Sequence, residues 1–297
     1  EAERWGSERA HVTFVAMGRY GGRECSYASD ADVIALHEPV GGASDSEAAA
    51  SATAIVNRVK KLLGSATSQL GIVVDLDLRP EGKNGPMSRT IASHEEYAQR
   101  WASTWERQAA VRARPIGSSN LDEHARALFE SMAYREVSES EVRDIRLLKA
   151  RMENERLPRG SEPARHVKLG PGGLSDVEWT IQLIQMRHGA RLPALRTPST
   201  TRAIAVARDT GLLAAPDAEI LLNAWDLATR IRAGNTLATG RMSGVKLDVL
   251  PRDSAELSAL AAILGYGSGG LTALEEDWLR AARQARNVME RAFWEQQ

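Results

Sequence analysis

The chain has 297 residues, with 38 Lys and Arg against 39 Asp and Glu and a formal net charge of −1, which excludes a basic footprint for non-specific nucleic-acid binding. Hydrophobic residues make up 43%, enough for a sizeable core in one large or two ordinary domains, and no run approaches the ~20 apolar residues of a membrane span. The single cysteine, Cys25, excludes an intrachain disulfide, no Cys/His zinc spacing occurs and no leader-like segment opens the chain, so a reducing cytoplasm is the expected compartment.

Three strand-like runs lie in the first third: residues 11–17 (HVTFVAM), 32–37 (DVIALH) and 71–78 (GIVVDLDL). Each is rich in Val and Ile and bounded by Gly, Pro or polar residues. Between the second and third, residues 46–63 place Ile55, Val56, Val59, Leu62 and Leu63 at helical spacing, with Gly64 as a stop. Residues 95–112 read as one helix with Tyr97, Trp101 and Trp105 on a single core-facing stripe, and HEEY at 94–97 reads as its start. Asn120 and Glu123 suit the cap of the next helix. In residues 140–154, Val142, Ile145, Leu148 and Met152 form a stripe. Ser175 and Glu178 suggest a capping box for a helix running to Arg187. Residues 201–210 stop at Gly211, Pro216 suits the first position of a helix ending near Gly234, GYGSGG at 265–270 is a joint, and 271–294 is a last amphipathic helix. The pattern predicts an α+β chain: a small α/β domain with a mixed sheet over residues 1–115, followed by a helical bundle over 116–297.

The chemistry-bearing residues sit on the second and third strands. Side chains two apart on a strand face the same way, so Asp30 and Asp32 share a side, as do Asp75 and Asp77. If the strands are neighbours, three or four carboxylates converge. Their mutual repulsion calls for a divalent cation, and an oxygen-only donor set favours Mg²⁺ or Mn²⁺. Gly21 and Gly22 follow the first strand, and their amides are able to approach phosphate oxygens, with Ser29 adding a hydroxyl. Alone, Asp-x-Asp or Gly-Gly reads as a solvated turn; in combination, followed by a second acidic strand, they read as a phosphate cradle joined to a metal-binding strand.

These residues resemble the nucleotidyltransferase superfamily that includes DNA polymerase beta. Four blocks are more specific. GRYGGRECSYASDADVIAL (18–36), VDLDLRPEGKNGP (74–86), TWERQAAVRAR (104–114) and VKLGPGGLSDVEWTIQLIQMRHG (167–189) resemble, in order, blocks of the bifunctional glutamine synthetase adenylyltransferase/adenylyl-removing family. That family pairs a half that removes AMP from glutamine synthetase by phosphorolysis with a half that attaches AMP from ATP to a tyrosine. TWERQAAVRAR and SYASD resemble the attaching half.

The resemblance implies ATP as substrate, Asp30, Asp32 and Asp75 as catalytic metal ligands, glutamine synthetase as protein substrate and control of nitrogen assimilation. It also implies a PII-type signalling protein as a partner of a longer protein. Gly21, Gly22, Ser29, Arg79, Gly172 and Gly173 are the expected nucleotide-facing residues. The third acid is assigned to Asp75, because the family has Arg where this chain has Asp77; Asp77 is left as an extra ligand or an electrostatic replacement. Arg112 and Arg114 fit a dipole-favoured helix end and a phosphate contact equally, and Lys83 fits a solvated loop. Two other activities are weighed: phosphorolytic removal of AMP, and nucleotide sensing without turnover.

Overall fold

A computed structural model describes residues 8–27, 29–64, 71–158, 160–267 and 269–295. They divide into two compact units. The first takes in the described residues to Cys25, Ser29–Arg135 and Arg196–Ser199; the second takes in Ser26 and Tyr27, Glu136–Leu195 and the described residues from Thr200 on. A mixed sheet in the first and helices throughout the second make the chain α+β.

The sheet of the first unit runs β3–β2–β1–β5, with β4 also on β2. β1 (Ala10–Ala16) is antiparallel to β2 (Ala31–Pro39) and to β5 (Arg114–Pro115). β3 (Val74–Asp75) and β4 (Ser88–Thr90) both run parallel to β2. β2 is buried along most of its length, as a strand covered on both faces must be. The helix α1 (Asp45–Gly64) makes the crossover between β2 and β3. It buries Ala48, Ser51, Ala52 and Val56, mostly small residues at helical spacing that let it lie close to the sheet. Val33, Ala35, Val56, Val74 and Leu76 form one core cluster with Phe14, Tyr20 and Met87.

The strand expected over 71–78 shrinks to two residues. The Asp77 amide donates to Asp75 Oδ1 at 2.7 Å, an Asx-type turn that bends the chain out of the sheet. The single helix expected over 95–112 is two: α2 (Ile91–Arg100) and α3 (Thr104–Ala110). Ser103 and Glu106 form a capping box, a stronger local signal than the tryptophan spacing. The stripe reading fails with it: Trp101 is 71% exposed and Trp105 41%. α4 (Asn120–Ala133), assigned to the second domain in the sequence reading, packs against α3, β1 and β5. Its cap is Ser119 in a box with Asp122. The division between the units falls after Arg135.

His94 on α2 is wholly interior, edge-on to Phe129 at 5.3 Å between ring centroids, with no hydrogen-bond partner on Nδ1. Burial, and then the nearby Arg89 charge, push its imidazole down to about 4. An unfolded imidazole titrates near 6.5, so the unfolded chain binds more protons between these values. Stability therefore falls as pH drops from about 6.5 towards 4, by about 3 kcal/mol for this group. Urea unfolding across that range is expected to show the loss, and His94→Leu is expected to remove that part of it.

In the second unit, α5 (Glu139–Glu155) buries Val142, Ile145 and Lys149, while α6 (Leu174–His188), α7 (Thr200–Asp209), α8 (Ala215–Thr239), α9 (Ser254–Ile263) and α10 (Gly270–Met289) enclose one core centred on Leu221, Ile231, Leu260, Leu274 and Trp278. A π-helical segment, Glu290–Trp294, follows α10. Gly234 does not end α8. A Cβ there would lie 2.5 Å from Leu260 Cδ1, so the glycine admits α9 alongside, and the helix runs on to a left-handed cap at Gly240. The expected Ser175/Glu178 box is absent: Gly173 is the N-cap of α6, and Ser175 receives a bond from Lys149. Ser268, in the expected 265–270 joint, lies outside the described residues.

Candidate active site

The geometry of the site starts from strand register. β2 and β3 pair in parallel with Ala31 opposite Val74 and Asp32 opposite Asp75. Partners in register on adjacent strands face the same way, about 4.8 Å apart. Val33, Ala35 and Val74 point to the α1 side, so Asp32 and Asp75 project together from the opposite face. Both are partly exposed, and Asp30 is exposed just ahead of β2. Asp75 Oδ1 is taken by the Asp77 amide; no protein bond to Oδ2 occurs among the described residues. Asp77 is 47% exposed and pairs with Lys83 at 3.3 Å and Arg79 at 3.7 Å, outside the sheet.

The Gly18–Gly21 helical turn closes one side. Gly18 has φ +51°, and a Cβ there would stand 2.8 Å from Asp32 Oδ2; the Met17 amide donates to the Asp32 carbonyl at 2.8 Å. The turn is thus laid directly against the acidic strand. Gly21 and Gly22 are needed for close approach. A Cβ on Gly21 would meet the Arg112 carbonyl oxygen at 1.8 Å, and one on Gly22 the Arg112 guanidinium at 2.6 Å. Their amides donate inside the turn, Gly21 to Met17 O at 2.7 Å and Gly22 to Gly18 O at 3.2 Å. Ser29 is half-buried and lies against the Cys25 side chain.

The other expected nucleotide-facing residues are Arg79, Gly172 and Gly173. Arg79 is buried and spends its donors on its own loop: Leu76 O at 2.9 Å, Lys83 O at 3.1 Å and Gly85 O at 3.2 Å. Gly172 and Gly173 belong to the second unit. Gly172 has φ +73°, its Cβ position lies 1.8 Å from Ala282 O, and its amide donates to Asp176 Oδ2 at 2.7 Å. The Gly173 amide donates to Gly170 O at 2.9 Å. Packing of the loop against α10 accounts for Gly172, whereas a Cβ on Gly173 would meet its own loop, Val167 O at 2.6 Å and Gly170 O at 3.0 Å.

Arg112 and Arg114 have a third role that the sequence reading did not weigh. Arg112 Nε donates to Gly18 O at 3.0 Å and its terminal nitrogen to Glu24 Oε2 at 2.6 Å. Arg114 donates to Gly21 O at 2.8 Å and Tyr20 O at 2.9 Å, with its guanidinium 5.8 Å from the Tyr20 ring centroid. Burial, and then the Arg23 charge, hold the Arg114 guanidinium below its ordinary value. Glu24 was missed altogether; its place six residues after Gly18 offers no periodic signal.

Among the described residues, no three acidic, histidine or cysteine side chains close into a cage for a cation. The donor set nevertheless suits Mg²⁺, which binds through one or two carboxylates and completes its shell with water and substrate phosphates. Asp32 and Asp75, side by side and open to one face, offer such a half-site.

Residues 2–129 match the family model described as glutamate-ammonia ligase adenylyltransferase, and residues 146–293 match that described as GlnD PII-uridylyltransferase. A bifunctional glutamine synthetase adenylyltransferase/adenylyl-removing enzyme of Streptomyces coelicolor is 44% identical over 296 residues, 98% of this chain and 29% of the relative. Enzymes of the same name from Bifidobacterium longum subsp. infantis and Mycolicibacterium smegmatis are 46% identical over 295 residues and 40% over 287. These cover 97% and 96% of this chain and 27% and 28% of the relatives. The chain thus spans less than a third of the length of these relatives.

Proposed function

We propose, from the match of residues 2–129 to the family model described as glutamate-ammonia ligase adenylyltransferase, that the chain moves AMP from ATP to a tyrosine hydroxyl of glutamine synthetase, releasing pyrophosphate. The observation that carries the reading is the register of Asp32 with Asp75 on adjacent parallel strands, beside a glycine turn in which a Cβ on Gly18 would stand 2.8 Å from Asp32 Oδ2. The resemblance of residues 104–114 to the attaching half favours this direction over removal.

In this reading Asp30, Asp32 and Asp75 would hold Mg²⁺, with Mn²⁺ as a substitute, and the ion would supply neutralisation of triphosphate charge and easier ionisation of the phenol. The chain itself supplies alignment. β2 and β3 fix two carboxylates at a strand spacing, and the turn fixes the wall beside them. A phenol has a reference pKa near 10, so attack at neutral pH needs a base. Asp75 Oδ2 takes that proton as the tyrosine oxygen bonds to the α-phosphorus and the bond to pyrophosphate breaks. Asp77, paired with Lys83, stays out of the reaction and shapes the turn after β3. Arg79 holds the loop after β3. A cytoplasmic setting, with a PII-type protein acting on the longer protein, completes the proposal.

The test offers the chain ATP labelled at the α-phosphate, Mg²⁺ and unmodified glutamine synthetase, and in parallel adenylylated glutamine synthetase with inorganic phosphate. Label on glutamine synthetase is the expected result. ADP release without labelling assigns the removing activity instead, and ATP binding with neither assigns a sensing module.

A further inference from the structure

Resting on that reading, we propose that Arg112, paired with Glu24, is a positioning residue that sets the glycine turn against Asp32. Four observations carry it. Within the turn Gly18 O and Tyr20 O each accept one backbone amide, from Gly22 and Arg23 at 3.2 Å, and a carbonyl oxygen has a second lone pair to offer. Here Gly18 O, Tyr20 O and Gly21 O all accept from arginine side chains on one segment, Arg112 and Arg114. The Arg112 and Glu24 side chains are 4% and 10% exposed and meet at 2.6 Å, so the guanidinium is fixed at both ends. Glu24 is itself held: its amide donates to Arg19 O at 2.8 Å, and Oε1 accepts from Ser199 Oγ at 3.3 Å.

The consequence reaches the site through Gly18. Its carbonyl is what Arg112 Nε grips, and its α-carbon is what lies over the Asp32 carboxylate. Gly22 is glycine for the same reason, since a Cβ there would strike Arg112, Glu24 and Pro198 O together, at 2.6, 2.9 and 2.8 Å. The clamp needs a planar fork: one nitrogen for a carbonyl, another for a carboxylate. A lysine ammonium keeps the charge but not the fixed angle between the two bonds. Arg112 touches neither nucleotide nor acceptor in this scheme; it acts by confining the backbone that confines Asp32.

The experiment uses Arg112→Lys and Glu24→Gln, both chosen to keep volume and fold. Hydrogen exchange reads the turn directly, at the Gly21 and Gly22 amides. Arg112→Lys is expected to speed exchange there about tenfold, with exchange in α1 and the melting temperature unchanged. The dissociation constant for ATP with Mg²⁺ is expected to rise five- to tenfold, and KM for ATP to follow it, with kcat changed less than threefold. Glu24→Gln, which keeps an acceptor, is expected to fall between wild type and Arg112→Lys. Unchanged exchange in the turn overturns the proposal, as does unchanged ATP affinity in Arg112→Lys, as does a loss confined to kcat. Failure of the proposed function is judged separately, on the wild-type chain: no labelling of glutamine synthetase sinks that reading, while the exchange and ATP-affinity arms still decide the role of Arg112. A wild-type chain that binds no ATP overturns both.

Discussion

Asp32→Asn is expected to lower AMP transfer by on the order of 10³-fold, the scale for removing a central charge-stabilising group from a phosphoryl-transfer site. Asn preserves the shape beside Gly18, where a Cβ position already lies 2.8 Å from Oδ2, so the turn has no steric reason to move. What changes is charge. Two carboxylates at a parallel-strand spacing repel each other by about 3 kcal/mol at an effective dielectric of 20, and less when partly exposed to solvent. Neutralising one is therefore expected to leave stability to urea unchanged or raised by up to about 1 kcal/mol. Activity and stability should move in opposite directions, which separates loss of a ligand from loss of fold. Asp75→Asn is expected to match it in rate, and Asp77→Asn to fall by less than fivefold, because Asp77 faces Lys83 and not Asp32. Full activity in Asp32→Asn would remove the carboxylate pair from the mechanism.

The carboxylate pair was legible in the sequence because alternation is a strict period. Asp32 and Asp75 each sit at the mouth of an apolar run, and only the adjacency of β2 and β3 had to be assumed; the register supplies it. The glycines were legible as special but not as to cause. An amide aimed at phosphate and a missing Cβ under Arg112 leave the same letters, and the partner lies some ninety residues away. A long-range partner hides in the same way at Gly234, whose reason is Leu260 on another helix, whereas Arg79 is wrapped by carbonyls of its own loop, at Leu76, Lys83 and Gly85. Trp101 and Trp105 mislead for the opposite reason. Their spacing fits a helix face, but Ser103 with Glu106 restarts the helix between them. A local capping box outweighs a periodic signal of three residues.

The α5 stripe shows what a buried charge does to such a reading, and it carries the largest stability effect expected outside the candidate site. Val142 and Ile145 are buried as expected, but the next buried position is Lys149 rather than Leu148. Lys149 and Asp176 are each 1% exposed and meet at 2.5 Å, with Lys149 also 3.1 Å from Glu153 and 3.3 Å from Ser175 Oγ. Arg286 joins Glu153 at 2.7 Å to Asp176 at 3.2 Å, and Gly172 donates its amide to the same Asp176 oxygen. Two cations and two anions thus close a neutral ring joining α5, α6 and α10, with the loop before α6 tied in through the Gly172 amide. Burial alone would raise the Glu153 carboxyl, but Arg286 and Lys149 hold it below the ordinary carboxylate range. Lys149→Met leaves Asp176 Oδ1 buried without a cation, so it is expected to cost about 3–5 kcal/mol, far more than the pair contributes over an apolar substitute. Adding Asp176→Asn removes the stranded charge while keeping an acceptor for Gly172. The double variant is therefore expected to recover about 1–3 kcal/mol, a coupling that urea unfolding of the four-member cycle measures. If Lys149→Met costs under 1 kcal/mol, or if the two substitutions simply add, the ring is not a cooperative unit, and the charged letters of this segment carry no more stability than an exposed ion pair.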